Sequence, residues 1–260
     1  MKVTLLQTDI KWADPDVNVA RVDAAIDRNP GSDIYFLPEM WTTGFVTNPE
    51  GLAETMDSAS IQWMKDKARE TDAAICGSIA IKEDGKHYNR SLFVEPDGKV
   101  TQYDKAHLFM FSEEVTHYTP GTKLVVVKFR GVRILLQVCY DLRFPMWSRN
   151  FIDDSGQALY DLVIYSANWP DARMTAWHTL TRARAIENQC YVAAVNRCGT
   201  DDWGVYSGDT ALIHPYGHEV ARCELGKVCE TTGEVDMEAL NRYRTKFPVL
   251  KDIIWTKDYS

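Results

Sequence analysis

Leu136-Gln137-Val138-Cys139-Tyr140-Asp141-Leu142-Arg143-Phe144-Pro145 puts a thiol at the point where an apolar run stops. Ile134 to Val138 is short and apolar, as in a strand buried on both faces. A polar turn and then a helix are expected after it. Backbone N–H groups in such a turn, and a nearby helix N-terminus, favour a thiolate and an oxyanion alike. Cys139 is therefore a candidate nucleophile, although the commonest fate of a cysteine is a place in the core.

Outward from this stretch the chain alternates strands and helices. Val3 to Thr8, Asp33 to Leu37, Ala73 to Ile81, Leu162 to Ser166 and Tyr191 to Asn196 read as buried or half-buried strands. Val17 to Arg28 carries apolar residues at 17, 19, 22, 25 and 26, the spacing of an amphipathic helix. Leu52 to Glu70 and Thr175 to Gln189 are also expected to be helical, and Met237 to Tyr243 is a short helix. Three hairpins are expected. Pro96-Asp97-Gly98 joins His87–Glu95 to Lys99–Asp104. Arg130-Gly131 joins Leu124–Phe129 to Arg133–Val138. Pro215-Tyr216-Gly217 joins Val205–His214 to Glu219–Glu224. Val228 to Val235 closes the β region. Strands linked partly by helices and partly by hairpins imply mixed sheets covered by helices, an α/β fold. With no Ser/Gly/Pro-rich linker, residues 1–260 are expected to form a single domain. The segment 247–260, with Trp255 and Tyr259, reads either as an arm that packs on a partner subunit or as a frayed tail.

Composition narrows the function classes. At 260 residues, with 45% hydrophobic and 25% charged residues, the chain has enough apolar material for a large core without disulfides or metals. Its net charge is −8, which argues against binding a nucleic-acid backbone. No stretch reaches the roughly 18 apolar residues of a membrane span. Asp9 interrupts the first apolar run, so a secretory leader is not expected. The six cysteines form no CxxC and read as reduced thiols in a cytoplasmic setting. Asn89-Arg90-Ser91 fits the glycosylation pattern and is set aside for want of a leader. GxSxG, GxGxxG, GxxxxGK[ST] and HExxH are absent. His214 and His218 are four apart but lie across a turn, so no metal site is expected.

Two further residues sit where strands end. Glu39 follows Ile34-Tyr35-Phe36-Leu37-Pro38, and a carboxylate there is costly unless it is satisfied or used as a base. Lys105, in Tyr103-Asp104-Lys105-Ala106-His107-Leu108-Phe109, is a cation that can hold an oxyanion. Either one alone reads as an ordinary surface or loop residue. In order, Phe36-Leu37-Pro38-Glu39, the Lys105 segment and the Cys139 segment together resemble the carbon–nitrogen hydrolase (nitrilase) superfamily. The resemblance runs from the first strand to the hairpins near Glu224. It implies a four-layer α-β-β-α sandwich, and a homodimer or higher homo-oligomer. It also implies that Glu39 is the base, Lys105 the oxyanion stabiliser and Cys139 the nucleophile. A second glutamate is expected downstream of the lysine. Glu114 suits this better than Glu113, because His117-Tyr118-Thr119-Pro120-Gly121 follows it.

Cys139-Tyr140-Asp141-Leu142-Arg143-Phe144-Pro145 and Ser166-Ala167-Asn168-Trp169-Pro170 look most like the omega-amidase branch. That likeness implies hydrolysis of the terminal amide of 2-oxoglutaramate or 2-oxosuccinamate, with no metal or organic cofactor. A short anionic amide needs a cation for its carboxylate, and Arg143 is the candidate, unless it pairs with Asp141. Phe45, Met110, Tyr140 and Trp169 are candidate walls, with Asn168 at the same rim, and the Tyr140 N–H is a second oxyanion donor. Arg182, Arg184 and Glu187 read as a salt-bridged dimer surface, and His178 as structural. Three alternatives remain: another small amide, carbamoyl amine or nitrile; acyl transfer from the thioester; and a non-catalytic binding protein with the same fold.

Overall fold

The structure is a computed structural model that describes residues 1–254. Its strands are β1 (Lys2–Gln7), β2 (Ile34–Phe36), β3 (Ala74–Glu83), β4 (Lys86–Val94), β5 (Val100–Asp104), β6 (Val126–Phe129), β7 (Val132–Val138), β8 (Leu162–Ala167), β9 (Tyr191–Asn196), β10 (Cys198–Asp201), β11 (Gly204–Ser207), β12 (Ala211–Ile213), β13 (Glu219–Arg222) and β14 (Cys229–Glu234). The helices are α1 (Pro15–Arg28), α2 (Ala59–Thr71), α3 (Glu114–His117), α4 (Met174–Asn188) and α5 (Met237–Lys246).

Two six-stranded mixed sheets result, in the orders β14-β1-β2-β3-β4-β5 and β13-β12-β9-β8-β7-β6, with β10 and β11 as a separate ribbon. Each sheet has three parallel strands at its centre, β1-β2-β3 and β7-β8-β9, and antiparallel partners outside them. The central runs are largely apolar, and buried along most of their length, because both faces are covered. On one face of the first sheet, Tyr35, Leu37, Ile75 and Ile79 pack against Val22 and Ile26 of α1 and Ile61 and Met64 of α2. On its other face, Val3, Leu5, Phe36 and Phe93 share a core with Ile134, Leu136, Ile164 and Val192 of the second sheet. Trp177 and Ala185 of α4 belong to that same core. The layers are thus helix, sheet, sheet, helix, the α-β-β-α sandwich expected.

Local chemistry sets the helix ends. Asp14 caps α1 by accepting from the Val17 N–H, with Pro15 in the first turn. Ser58 caps α2, which therefore starts at Ala59 and not at Leu52. The preceding residues pair instead with β3, the Glu54 N–H donating to the Ala80 carbonyl. Three other expectations are corrected. Val205 belongs to the ribbon, opposite Thr200, and not to the hairpin that continues to His214. The residues after Cys139 form a single 3-10 turn, Cys139–Arg143, and not a helix. Arg182 and Arg184 do not both pair with Glu187. Arg182 pairs with Glu219 across the sheet edge, whereas buried Arg184 pairs with Glu187 at 2.8 Å and donates to the Leu142 carbonyl at 2.6 Å.

The described part of the C-terminal segment is held on its own chain, where Gln189 donates to the Phe247 carbonyl and Leu250 is buried. Trp255 and Tyr259 lie outside the described residues. All six cysteines are free. Asn89 is buried, so Asn89-Arg90-Ser91 offers no glycan site. Among the described residues no helix is long and apolar enough to cross a membrane.

Candidate active site

Parallel strands deliver their C-terminal ends to one place, which is where open α/β sheets bind ligands. Glu39 leaves β2, Cys139 leaves β7 and Asn168 leaves β8. Ser166 of β8 donates to the Leu37 carbonyl at 2.8 Å, so the two sheets are tied together beside the site. Lys105 follows β5, its backbone N–H bonded to the Asn89 carbonyl.

Glu39, Lys105 and Glu114 are buried together. The Lys105 ammonium donates to Glu39 Oε1 at 2.9 Å and to both Glu114 oxygens at 3.0 Å. Asn89 Nδ2 bridges the same two carboxylates, at 2.7 Å to Glu39 and 3.1 Å to Glu114. The Asn168 N–H donates to Glu39 Oε2 at 2.9 Å and its Nδ2 to the Glu39 carbonyl at 2.6 Å. The Phe109 N–H completes Glu114 at 2.6 Å. Every carboxylate oxygen thus has a donor, the condition for keeping buried charge. Glu113, by contrast, is exposed.

Cys139 sits at φ +42°, a left-handed conformation rarely adopted by a side-chain-bearing residue. Asp141 holds that elbow. Its buried carboxylate accepts from the Val138 N–H (3.0 Å), the Tyr103 hydroxyl (2.8 Å) and the His107 N–H (3.0 Å), and it contacts His107 Nδ1 at 2.8 Å. Asp141 is therefore not the partner of Arg143, whose guanidinium lies 5.0 Å above the Trp169 ring.

The charges act on one another. Burial lowers the Lys105 pKa, but the carboxylates of Glu114 and Glu39 outweigh it and hold the ammonium above its ordinary range. Burial, reinforced by Glu39, raises Glu114 despite Lys105. The Cys139 thiol is pushed well above its ordinary value by burial and by the Glu39 carboxylate, which Lys105 only partly opposes. The lowered thiol expected from the turn and the lysine is thus reversed. The reason is burial first, and then the carboxylate that faces the thiol.

A cavity of about 180 Å³ opens onto these groups, lined by Glu39, Lys105, Cys139, Phe45, Tyr140, Arg143, Asn168 and Trp169. It is smaller than the roughly 300–1,000 Å³ of sites for drug-sized ligands. The Phe45 ring lies 5.3 Å from the Lys105 ammonium. Met110 is a correction: its side chain points to solvent, 64% exposed, and the flanking Phe109 and Phe111 line the cavity instead. Trp203 and Tyr206 of the ribbon and Arg173 also line it and were not anticipated, nor were Asn89 and Asp141 as supports. Asn89 lies among the polar residues of β4, Lys86 to Ser91, and nothing in that run sets it apart. A larger cavity, about 560 Å³, is lined by Arg133, Asp161 and Arg244, but its carboxylate is spent on those two arginines and it holds no thiol.

The carbon-nitrogen hydrolase family model matches residues 2–245. The chain is 43% identical over 253 residues to the omega-amidase YafV of Escherichia coli (strain K12), covering 97% of this chain and 96% of that one. It is 32% identical over 257 residues to the 2-oxoglutaramate amidase of Bacillus subtilis (strain 168), with 96% of each covered. Among solved structures it resembles XC1258 from Xanthomonas campestris, a CN-hydrolase superfamily protein with an arsenic adduct in the active site. The TM-score is 0.93 at 40% identity, with 98% of each chain covered. With the buried Glu-Lys-Cys constellation in a small cavity and this similarity along nearly the whole length, the chain belongs to the carbon-nitrogen hydrolase family and is an enzyme that hydrolyses carbon–nitrogen bonds.

Proposed function

We propose that the enzyme hydrolyses the terminal amide of a short 2-oxo dicarboxylic acid monoamide, 2-oxoglutaramate or 2-oxosuccinamate, through a thioester on Cys139. The observation that carries this reading is the small cavity with Glu39, Lys105 and Cys139 at its floor and the unpaired Arg143 on its wall. The names of the E. coli and B. subtilis relatives support the same substrate class.

Glu39 takes the thiol proton as Cys139 attacks the amide carbon. A resting thiol with a raised pKa makes this adjacent base necessary. Lys105 and the Tyr140 N–H hold the oxyanion. Glu39 returns the proton to the departing ammonia, leaving a thioester. It next deprotonates a water molecule that attacks the thioester carbon; the C–S bond breaks, the proton held on Glu39 passes to the departing thiolate, and the dicarboxylate and the Cys139 thiol are released. One carboxylate serves as base, acid and base again. Glu114 keeps Lys105 charged and oriented, and Arg143 takes the substrate carboxylate.

The test is ammonia release from 2-oxoglutaramate, glutamine, an aliphatic amide and an aliphatic nitrile, for wild type and Cys139→Ala. The oxo-acid amide should turn over fastest, and the variant should lose about 10³-fold or more. Turnover of a different substrate through Cys139 would keep the nucleophile and discard the substrate. Undiminished activity in Cys139→Ala would discard the mechanism, and no turnover of any amide would favour a binding protein.

A further inference from the structure

Arg173 lines the same cavity as Cys139 and Arg143. It stands where the 3-10 turn Asp171–Arg173 meets the first residue of α4. Its exposed guanidinium lies 5.1 Å above the Phe109 ring, much as that of Arg143 lies over Trp169. Trp169 joins the two cations, its ring under Arg143 and its Nε1 donating to the Arg173 carbonyl at 2.8 Å.

The other arginines of the described residues are spent on carboxylates or carbonyls. Arg90 holds Asp104 and Glu83, Arg197 holds Asp201, and even Arg21 and Arg149 donate to backbone oxygens. Among the described residues, Arg143 and Arg173 alone offer their N–H groups to no protein acceptor. Nor is there an anion beside them. Glu39 is the one carboxylate on the cavity wall, and it is already engaged by Lys105, Asn89 and the Asn168 N–H. Two unneutralised guanidiniums therefore share one rim of a protein whose net charge is −8. One planar fork takes two of the roughly four acceptor sites of a substrate carboxylate. A second fork suits a further neutral acceptor next to that carboxylate, and it repels a cation placed there.

We infer that Arg173 acts with Arg143 to grip the carboxylate and adjoining oxo oxygen of the substrate, and so makes the enzyme choose 2-oxo-acid amides over the corresponding 2-amino-acid amides. An α-ammonium would meet two cations at the rim and no carboxylate. The assignment rests on the proposed oxo-acid substrate and names the residue that selects it.

The experiment measures kcat/KM for 2-oxoglutaramate, glutamine and pentanamide in wild type, Arg173→Ala and Arg173→Lys, with melting temperature as the check on folding. Arg173→Ala should lose about 10- to 100-fold more on 2-oxoglutaramate than on pentanamide, the loss of charge-assisted hydrogen bonds. The preference for 2-oxoglutaramate over glutamine should fall about tenfold or more, because repulsion of the ammonium is relieved. Arg173→Lys, keeping charge without the fork, should lie between. Equal losses on all three amides, or an unchanged preference in a variant that folds, would overturn the role of Arg173 and leave the oxo-acid reading standing. Wild type that hydrolyses pentanamide but not 2-oxoglutaramate would overturn both.

Discussion

At the residue scale, the surroundings of Cys139 favour a thiol that gives up its proton in the reaction over a standing thiolate. Burial and Glu39 both raise the Cys139 thiol. The thiolate absorbance that distinguishes wild type from Cys139→Ala should therefore be absent at neutral pH and emerge only well above the ordinary thiol range. A full thiolate signal at pH 7 would show that Lys105 dominates the thiol instead. Glu114 yields a second prediction. Burial raises its carboxyl above the ordinary value, so the folded protein holds this proton more tightly than the unfolded chain. Stability from this group is then lost as pH rises from the ordinary carboxylate range through the folded pKa. In urea unfolding, wild type should lose stability relative to Glu114→Gln across that window, and parallel curves would refute it. Cys139 and Glu39 were legible in the sequence because each follows an apolar run, whereas Lys105 follows the polar strand Val100–Asp104 and stood out only through the resemblance of the three segments taken in order. Asn89 and Asp141 were not legible, because a buried polar residue announces itself only when its partners from distant strands are known.

At the element scale, the site depends on segments that pass unusually close. A Cβ on Gly121 would lie 2.1 Å from the Asp104 carbonyl oxygen, and the Gly121 N–H bonds the Lys105 carbonyl at 2.9 Å. Only a residue without a side chain lets the chain after α3 cross the end of β5 there. Gly121→Ala should cost about 1–3 kcal/mol, as overpacking does, and should lower kcat by displacing Lys105. A melting curve with steady-state kinetics checks both, and wild-type values for each would refute it. Sequence patterning found most elements because their periodicity and turn residues agree. It erred where a tertiary partner overrode the pattern. Glu54 is held by β3, Val205 by the ribbon, and the turn after Cys139 by Asp141. The Asp84-Gly85 turn, with both residues at positive φ, makes β3 and β4 one hairpin, and the Pro96-Asp97-Gly98 turn makes β4 and β5 the next, so that Lys105 arrives just past β5 beside Asn89 of β4.

At the scale of the whole molecule, the active site exists because two sheets are stacked. Glu39, Asn89 and Lys105 come from the first sheet, while Cys139, Asn168 and Arg143 come from the second. The Ser166 hydroxyl spans the gap to the Leu37 carbonyl, one residue from Pro38 and two from Glu39. Ser166→Ala leaves that buried carbonyl without this donor and should cost about 1–3 kcal/mol. It should also reduce kcat more than it raises KM, since it loosens the distance between base and nucleophile, not the binding rim. Unchanged stability and turnover would show that packing alone holds the sheets in register.

The sequence by itself determined the α/β class, the alternation of covered strands and helices, and the residues able to do the chemistry. Those properties are local: periodicity, turn composition, and a reactive side chain directly after an apolar run. Only the tertiary structure decided the burial of Cys139 facing Glu39, the burial of Glu114 against Lys105, the pairing of β14 with β1, and the arrival of Arg173 at the cavity of Arg143. Each of these depends on what lies across a gap between segments far apart in the chain. Burial, hydrogen-bond partners and electrostatic neighbours are properties of the packed molecule, and no sequence spacing encodes them directly.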